Sequence, residues 1–137
     1  MALKVELKPG ERILIGECVV TNGDQRTRIL IEGSAPILRE KDIMTARRAD
    51  TPAKRIYLAV QLMYTSREPQ RHHDTYFSLI RDIAQAAPST WALIEGINNH
   101  ILTGQMYKAL KETRKLIAYE EELLSNAARR PSLRKSG

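Results

Sequence analysis

Cysteine is almost missing from this chain: Cys18 is the only one in 137 residues. It has no partner for an internal disulfide and no C-x-x-C or Cys/His cluster around it, which excludes a disulfide-stapled scaffold and a zinc finger. Aromatic residues are scarce as well, at 5%. Tyr57, Tyr64, Tyr76, Tyr107 and Tyr119 all fall in stretches that read as helix, so the strands offer no base-stacking platform of the kind used by sequence-reading RNA modules. The seven glycines are scattered, and neither G-x-G-x-x-G nor G-x-x-x-x-G-K-[ST] occurs, so a phosphate cradle of those types is absent. Long apolar runs are lacking too. The longest, IYLAV followed by Gln61 and LMY, falls far below the roughly 18 residues a membrane span needs, and MALKVELK has no apolar signal core. A cytoplasmic protein without a membrane partner is expected.

Catalytic groupings are equally thin. His72 and His73 are neighbours, which on a helix diverge by about 100° and cannot converge on one ion, and His100 stands alone. Cys18, in a β-like run between Glu17 and Val19, reads as a structural residue and not as an activated thiol. Glu120, Glu121 and Glu122 read as a solvated helix face and not as an acid/base pair. No enzyme, no cofactor and no metal are expected.

What the chain does have is positive charge, 22 Lys and Arg against 16 Asp and Glu, a net of +6. Residues 1–50 hold nine basic and eight acidic side chains, residues 51–104 five and four, and residues 105–137 eight and four. The excess is therefore C-terminal. Residues 126–137, NAARRPSLRKSG, show no periodic apolar face and read as a disordered basic tail.

Hydrophobic periodicity divides the rest into two. Leu3, Val5 and Leu7 alternate with charged residues as in a half-buried strand, and RILIG, ECVVT and RTRILIE continue in the same manner. Asn22-Gly23 reads as the apex of a tight hairpin, and APIL as a short edge strand. From Thr51-Pro52, a capping hydroxyl followed by a proline at the first helical position, the period becomes helical. Helices are expected over 52–65, 69–86, 90–103 and 105–125. Trp91, Ile94, Ile97 and Ile101 are expected to face inward on the third. Met106, Leu110, Ile117 and Leu124 form the stripe of the last, interrupted by Thr113. That last helix places Lys108, Lys111, Arg114 and Lys115 before its glutamates, against the preference of the helix dipole, which points to a partner for these charges. The expected fold is α+β: a small antiparallel β-module (1–48), then a helical domain of three to four helices (50–125), then the tail.

For function, the strand face draws attention. Arg26 and Arg28 lie on one side of a strand, and Arg39 and Lys41 follow the Ala35-Pro36 edge, so together they are candidate contacts to a phosphate chain or to base edges. Glu17, Glu32 and Glu40 are placed to pair with those arginines across strands, in which case the same residues are ordinary surface ion pairs.

Four blocks in order, LKVELKPGERILIG, DQRTRILIEGSAPILREKDI, ADTPAKRIYLAVQLMY and INNHILTGQMYKALKETRKLIAYE, resemble the FlbT family of flagellar regulators over about residues 2–124. The resemblance implies a post-transcriptional repressor of flagellin synthesis that associates with the 5′ untranslated leader of flagellin mRNA and promotes its decay. It also implies a functional link to FlaF, a small flagellar protein acting in the opposite direction. A shorter likeness, KPGERILIG, RILIEGSAP and REKDI, is similar to the CsrA family of β-sheet RNA-binding regulators. In that family one arginine on the first strand and one on the last contact RNA; the second corresponds to Arg39, whereas Leu7 occupies the place of the first. The rival reading is a protein-interaction adaptor or chaperone for a flagellar protein, affecting mRNA indirectly. Free strand edges further predict a homo-oligomer.

Overall fold

The computed structural model describes residues 2–128. Five strands come first: β1 (Ala2–Leu7), β2 (Arg12–Ile15), β3 (Cys18–Thr21), β4 (Thr27–Glu32) and β5 (Ile37–Arg39). Four helices follow: α1 (Pro52–Thr65), α2 (His73–Ala86), α3 (Trp91–Leu102) and α4 (Met106–Ala128). The fold is thus α+β, with all strands antiparallel. Asn126, Ala127 and Ala128 prolong α4; the remainder of the expected disordered tail lies outside the described residues.

The strands form two small sheets, β1-β4 and β3-β2-β5, and strand alternation explains how they stack. Ile13, Ile15 and Ile37 face Val5, Leu7, Ile29 and Ile31 of the two-stranded sheet and make one apolar cluster. Leu14 and Leu38, pointing the other way, join the helical core. Strands β2 and β5 are therefore covered on both sides, by a sheet and by helices, while β3 stays exposed and β1-β4 turns Leu30 and its charged neighbours to solvent. Leu38, 1% exposed, sits among Ile56, Val60, Met63 and Leu110, so one strand side chain belongs to the core of the helices.

The Asn22-Gly23 apex is corrected. The tight connection instead joins β2 to β3 at Gly16-Glu17, where Ile15 pairs with Cys18 and Gly16 takes φ +60, a conformation natural to glycine. Asn22 serves as a clip: its amide donates to the carbonyls of Leu7, Lys8 and Gln25 at 3.2, 2.8 and 2.9 Å. β4 then returns to pair with β1, not with β3.

Helix α1 starts as its sequence dictates, with Thr51 Oγ1 accepting from the Lys54 N–H at 3.3 Å. A second acceptor comes from far along the chain. Glu120, read as solvated, is 7% exposed and accepts from the Ala53 N–H at 2.9 Å, placing a carboxylate at the positive end of α1. Three side chains on one face of α1 then hold the backbone of β5 and the segment after it. Tyr57 donates to the Asp42 carbonyl at 2.6 Å, and Gln61 takes both the N–H and the carbonyl of Met44 at 2.6 and 3.0 Å. Tyr64 does the same for Ile37 at 3.3 and 3.2 Å.

Three expectations for the helices are also corrected. Trp91 is 50% exposed, because α3 begins at that residue and the preceding 3-10 turn puts Thr90, 1% exposed, into the buried position. Thr113 does not break the α4 stripe; it is fully buried, its hydroxyl bonded back to the Ala109 carbonyl at 2.8 Å. Leu124, at the far end, is 57% exposed.

Candidate nucleic-acid interface

Where the β1-β2 turn meets the end of β5, a groove of about 670 Å³ opens. Five cations line it: Lys8, Arg26, Arg39, Lys41 and Arg48, against Glu6, Glu11 and Glu40. Each is placed by a different piece of chain. Lys8 precedes the Pro9-Gly10 turn, Arg26 leads into β4, Arg39 ends β5, Lys41 sits on a single 3-10 turn (Glu40–Asp42), and Arg48 lies in the link to α1.

Three of the four residues expected from sequence thus come together, Arg26, Arg39 and Lys41. Arg28 does not line the groove. It stands directly across from Glu6 in the β1-β4 ladder and pairs with that carboxylate at 3.5 Å. Lys8 and Arg48 were missed; the available signals were a lysine abutting a Pro-Gly turn and the dibasic Arg47-Arg48 in a segment without periodicity.

The ion pairing differs from the expected one. Arg39 shares its face of the sheet with Ile13 and Ile37, so its guanidinium reaches across the sandwich, donating to the Glu6 carbonyl at 3.0 Å and lying 3.9 Å from Glu11. Glu40 is taken by Arg12 at 3.5 Å, and Glu17 by Arg67 at 3.9 Å. Lys8, Arg26, Lys41 and Arg48 have no carboxylate within 4 Å among the described residues. Five cations against three carboxylates, with four of the cations not ion-paired among the described residues, leave the hollow a positive excess that suits an anionic chain.

Leu7, the position to which the CsrA likeness would assign an RNA-contacting arginine, is 2% exposed within the sandwich. It faces the apolar cluster and not the groove.

Behind the groove, α4 explains its inverted charge order. Arg114 pairs with Asp42, whose side chain is 10% exposed, and Lys115 with Glu112 at 3.0 Å. Two of the four cations expected to need a partner therefore find one in this chain. Tyr57 stands beside Arg114; burial pushes its phenol above the ordinary value, with the guanidinium pulling the other way. Among the described residues, no group of three or more His, Cys, Asp or Glu side chains is gathered as metal ligands would be. None of the helices is long and apolar enough to cross a membrane among those residues.

Fold and groove together define a small α+β chain whose sandwich carries a cationic hollow against a helical layer. The family model described as Flagellar protein FlbT matches residues 3–124, and the chain belongs to that family. A relative from Bradyrhizobium diazoefficiens, a probable flagellum biosynthesis repressor protein FlbT 1, is 64% identical over 90% of this chain and 85% of its own. One from Rhodopseudomonas palustris with the corresponding name is 57% identical over 91% and 99%. The flagellum biosynthesis repressor protein FlbT of Caulobacter vibrioides is 34% identical over 93% of both chains. No solved structure matches.

Proposed function

We propose that this chain represses flagellum biosynthesis after transcription, by binding the 5′ untranslated leader of flagellin mRNA and promoting its decay. The repressor role follows the names of the relatives. The RNA role is supported by one observation above others: Lys8, Arg26, Lys41 and Arg48 line a single groove and make no ion pair among the described residues, although Glu6, Glu11 and Glu40 line it too. The chain contributes recognition, and a nuclease supplied by the cell cleaves. A FlaF-type flagellar protein and a second copy of the chain are the proposed protein partners, and the cytoplasm the compartment.

Titrating the full chain against the flagellin leader and a scrambled leader, across a salt series, tests this. Each lost phosphate contact in Arg26→Gln, Arg39→Gln or Lys41→Gln lowers the salt slope by about 0.7, taking the single-strand value. Arg28→Gln, outside the groove, leaves affinity unchanged. Equal failure of both leaders to bind the wild-type chain overturns the RNA reading. It would favour the adaptor reading, for which Phe77, Trp91 and Leu102, exposed on the helices, are the apolar contacts on offer.

A further inference from the structure

Lys108 and Lys111 stand in the first turns of α4, where the helix dipole disfavours cations. Unlike Arg114 and Lys115 on the same helix, they have no carboxylate partner among the described residues. Both are exposed. Tyr107 lies beside them, 40% exposed, with the Lys111 ammonium 5.1 Å from the centre of its ring. The ring leans on Tyr64 at 5.8 Å. Its hydroxyl makes no hydrogen bond among the described residues, so the ring is held by packing and its polar tip is free. Tyr107 and Lys108 also line a hollow of about 580 Å³ between the start of α4 and Ala35-Pro36, the loop entering β5.

This patch is not isolated from the groove. Tyr107, Lys111 and Arg114 follow one another at spacings of four and three residues, one stripe along α4 spanning about 10 Å at 1.5 Å per residue. Arg114 at the end of that stripe is bonded to Asp42, the residue after Lys41 of the groove. Lys111 and Lys108 thus lie one to two turns up the helix from the Arg114–Asp42 pair that borders the groove, with an aromatic ring beside them. Cations beside an accessible ring are the elements with which proteins hold single-stranded nucleic acid.

We propose that the RNA path continues from the groove along the first half of α4, where Tyr107 stacks a base and Lys108 and Lys111 contact phosphates of a single-stranded segment. The inference rests on the RNA reading of the groove and adds a site to it. It also supplies the stacking group that the strands lack, from a helix whose start borders the loop entering β5.

The test is anisotropy titration of the full chain with two labelled probes, a flagellin-leader oligoribonucleotide and oligouridylate, over a salt series. Tyr107→Ala should weaken binding of both probes about 5- to 150-fold, the range for loss of one base stack, with the salt slope unchanged. Tyr107→Phe, which keeps the ring, should bind as wild type, and an unchanged melting temperature and far-UV circular dichroism for Tyr107→Ala separate a lost stack from misfolding. Lys108→Gln with Lys111→Gln should lower the salt slope by about 1.4. If Tyr107→Ala and the double lysine variant bind as wild type while Lys41→Gln binds weakly, the path along α4 is overturned and the groove stands. If the wild-type chain binds neither probe, the groove reading itself has failed. Competition by polyglutamate at equal charge that is as strong as competition by unlabelled RNA, and indifferent to Tyr107→Ala, overturns the proposal in favour of an acidic protein partner.

Discussion

Gln61 is a polar residue placed where its helix is otherwise apolar, and its surroundings show why. At 5% exposure it satisfies both backbone groups of Met44 with one amide. Gln61→Ala leaves a buried donor and acceptor unpaired and is expected to cost about 2 kcal/mol, read from denaturant unfolding. Nothing in the apolar run of this helix marks Gln61 as a clamp, because the partner is backbone and backbone leaves no compositional trace. Tyr76 is a second residue whose role is set by burial. Its hydroxyl donates to Asn98 at 2.6 Å, and desolvation raises its phenol well above the ordinary value. Burial raises Tyr64 as well, the backbone N–H of Ile37 opposing it. Since the folded values lie above the unfolded ones, the neutral phenols contribute full stability below about pH 10 and lose it as pH rises further. Alkaline unfolding followed by tyrosinate absorbance should start just above that pH, and Tyr76→Phe should blunt it.

At the level of elements, helix boundaries were far more legible than strand partners. Thr51-Pro52 marked the start of α1, and its end at Thr65 followed from the apolar run, since caps and periodicity are local properties. Pairing is not local. Asn22-Gly23 carries the strongest hairpin chemistry in the chain, yet Ile13, Ile15, Ile29 and Ile31 all bury together only if β4 returns to β1. The candidate site was legible in part for the same reason. Arg26, Arg39 and Lys41 announced themselves by charge on strand-like sequence, while Lys8 and Arg48 needed the turn and the link to be folded against β5. Glu120 illustrates a long-range cap: Glu120→Ala removes the acceptor of the Ala53 N–H from 67 residues away. It is expected to cost about 1–2 kcal/mol, comparable to loss of a local N-cap, and a thermal melt will show whether α1 depends on α4. Leu38 joins the two layers more directly, and Leu38→Ala tests that link. Emptying its place among Ile56, Val60 and Met63 should cost about 2–5 kcal/mol, the range for a large-to-small core change.

For the molecule as a whole, the layers are interdependent. A fragment of residues 1–48 exposes Leu14 and Leu38 and loses the bonds from Tyr57, Gln61 and Tyr64. Its circular dichroism is expected to be that of an unfolded chain. The edge strand β3 presents another whole-molecule property. Cys18, Val19, Val20 and Thr21 are all exposed, carry no charge and pair on one side only, the type of edge that invites a further strand. A self-associating species at micromolar concentration is expected in sedimentation equilibrium, and Val19→Lys should shift it towards monomer.

The hold of α1 on the strands has a consequence for how such a protein can change. Tyr57, Gln61 and Tyr64 grip main-chain atoms of Ile37, Asp42 and Met44, and main chain is the same whatever side chain it bears. The seam is thus indifferent to the identity of an exposed residue between its anchor points, such as Lys41. Replacing Lys41 by Glu is expected to leave the melting temperature within about 2 °C, the effect of an ordinary surface change, while reversing one charge of the groove. Docking and charge are set by separate atoms here, so drift at one position can retune what the groove attracts while the architecture stays in place.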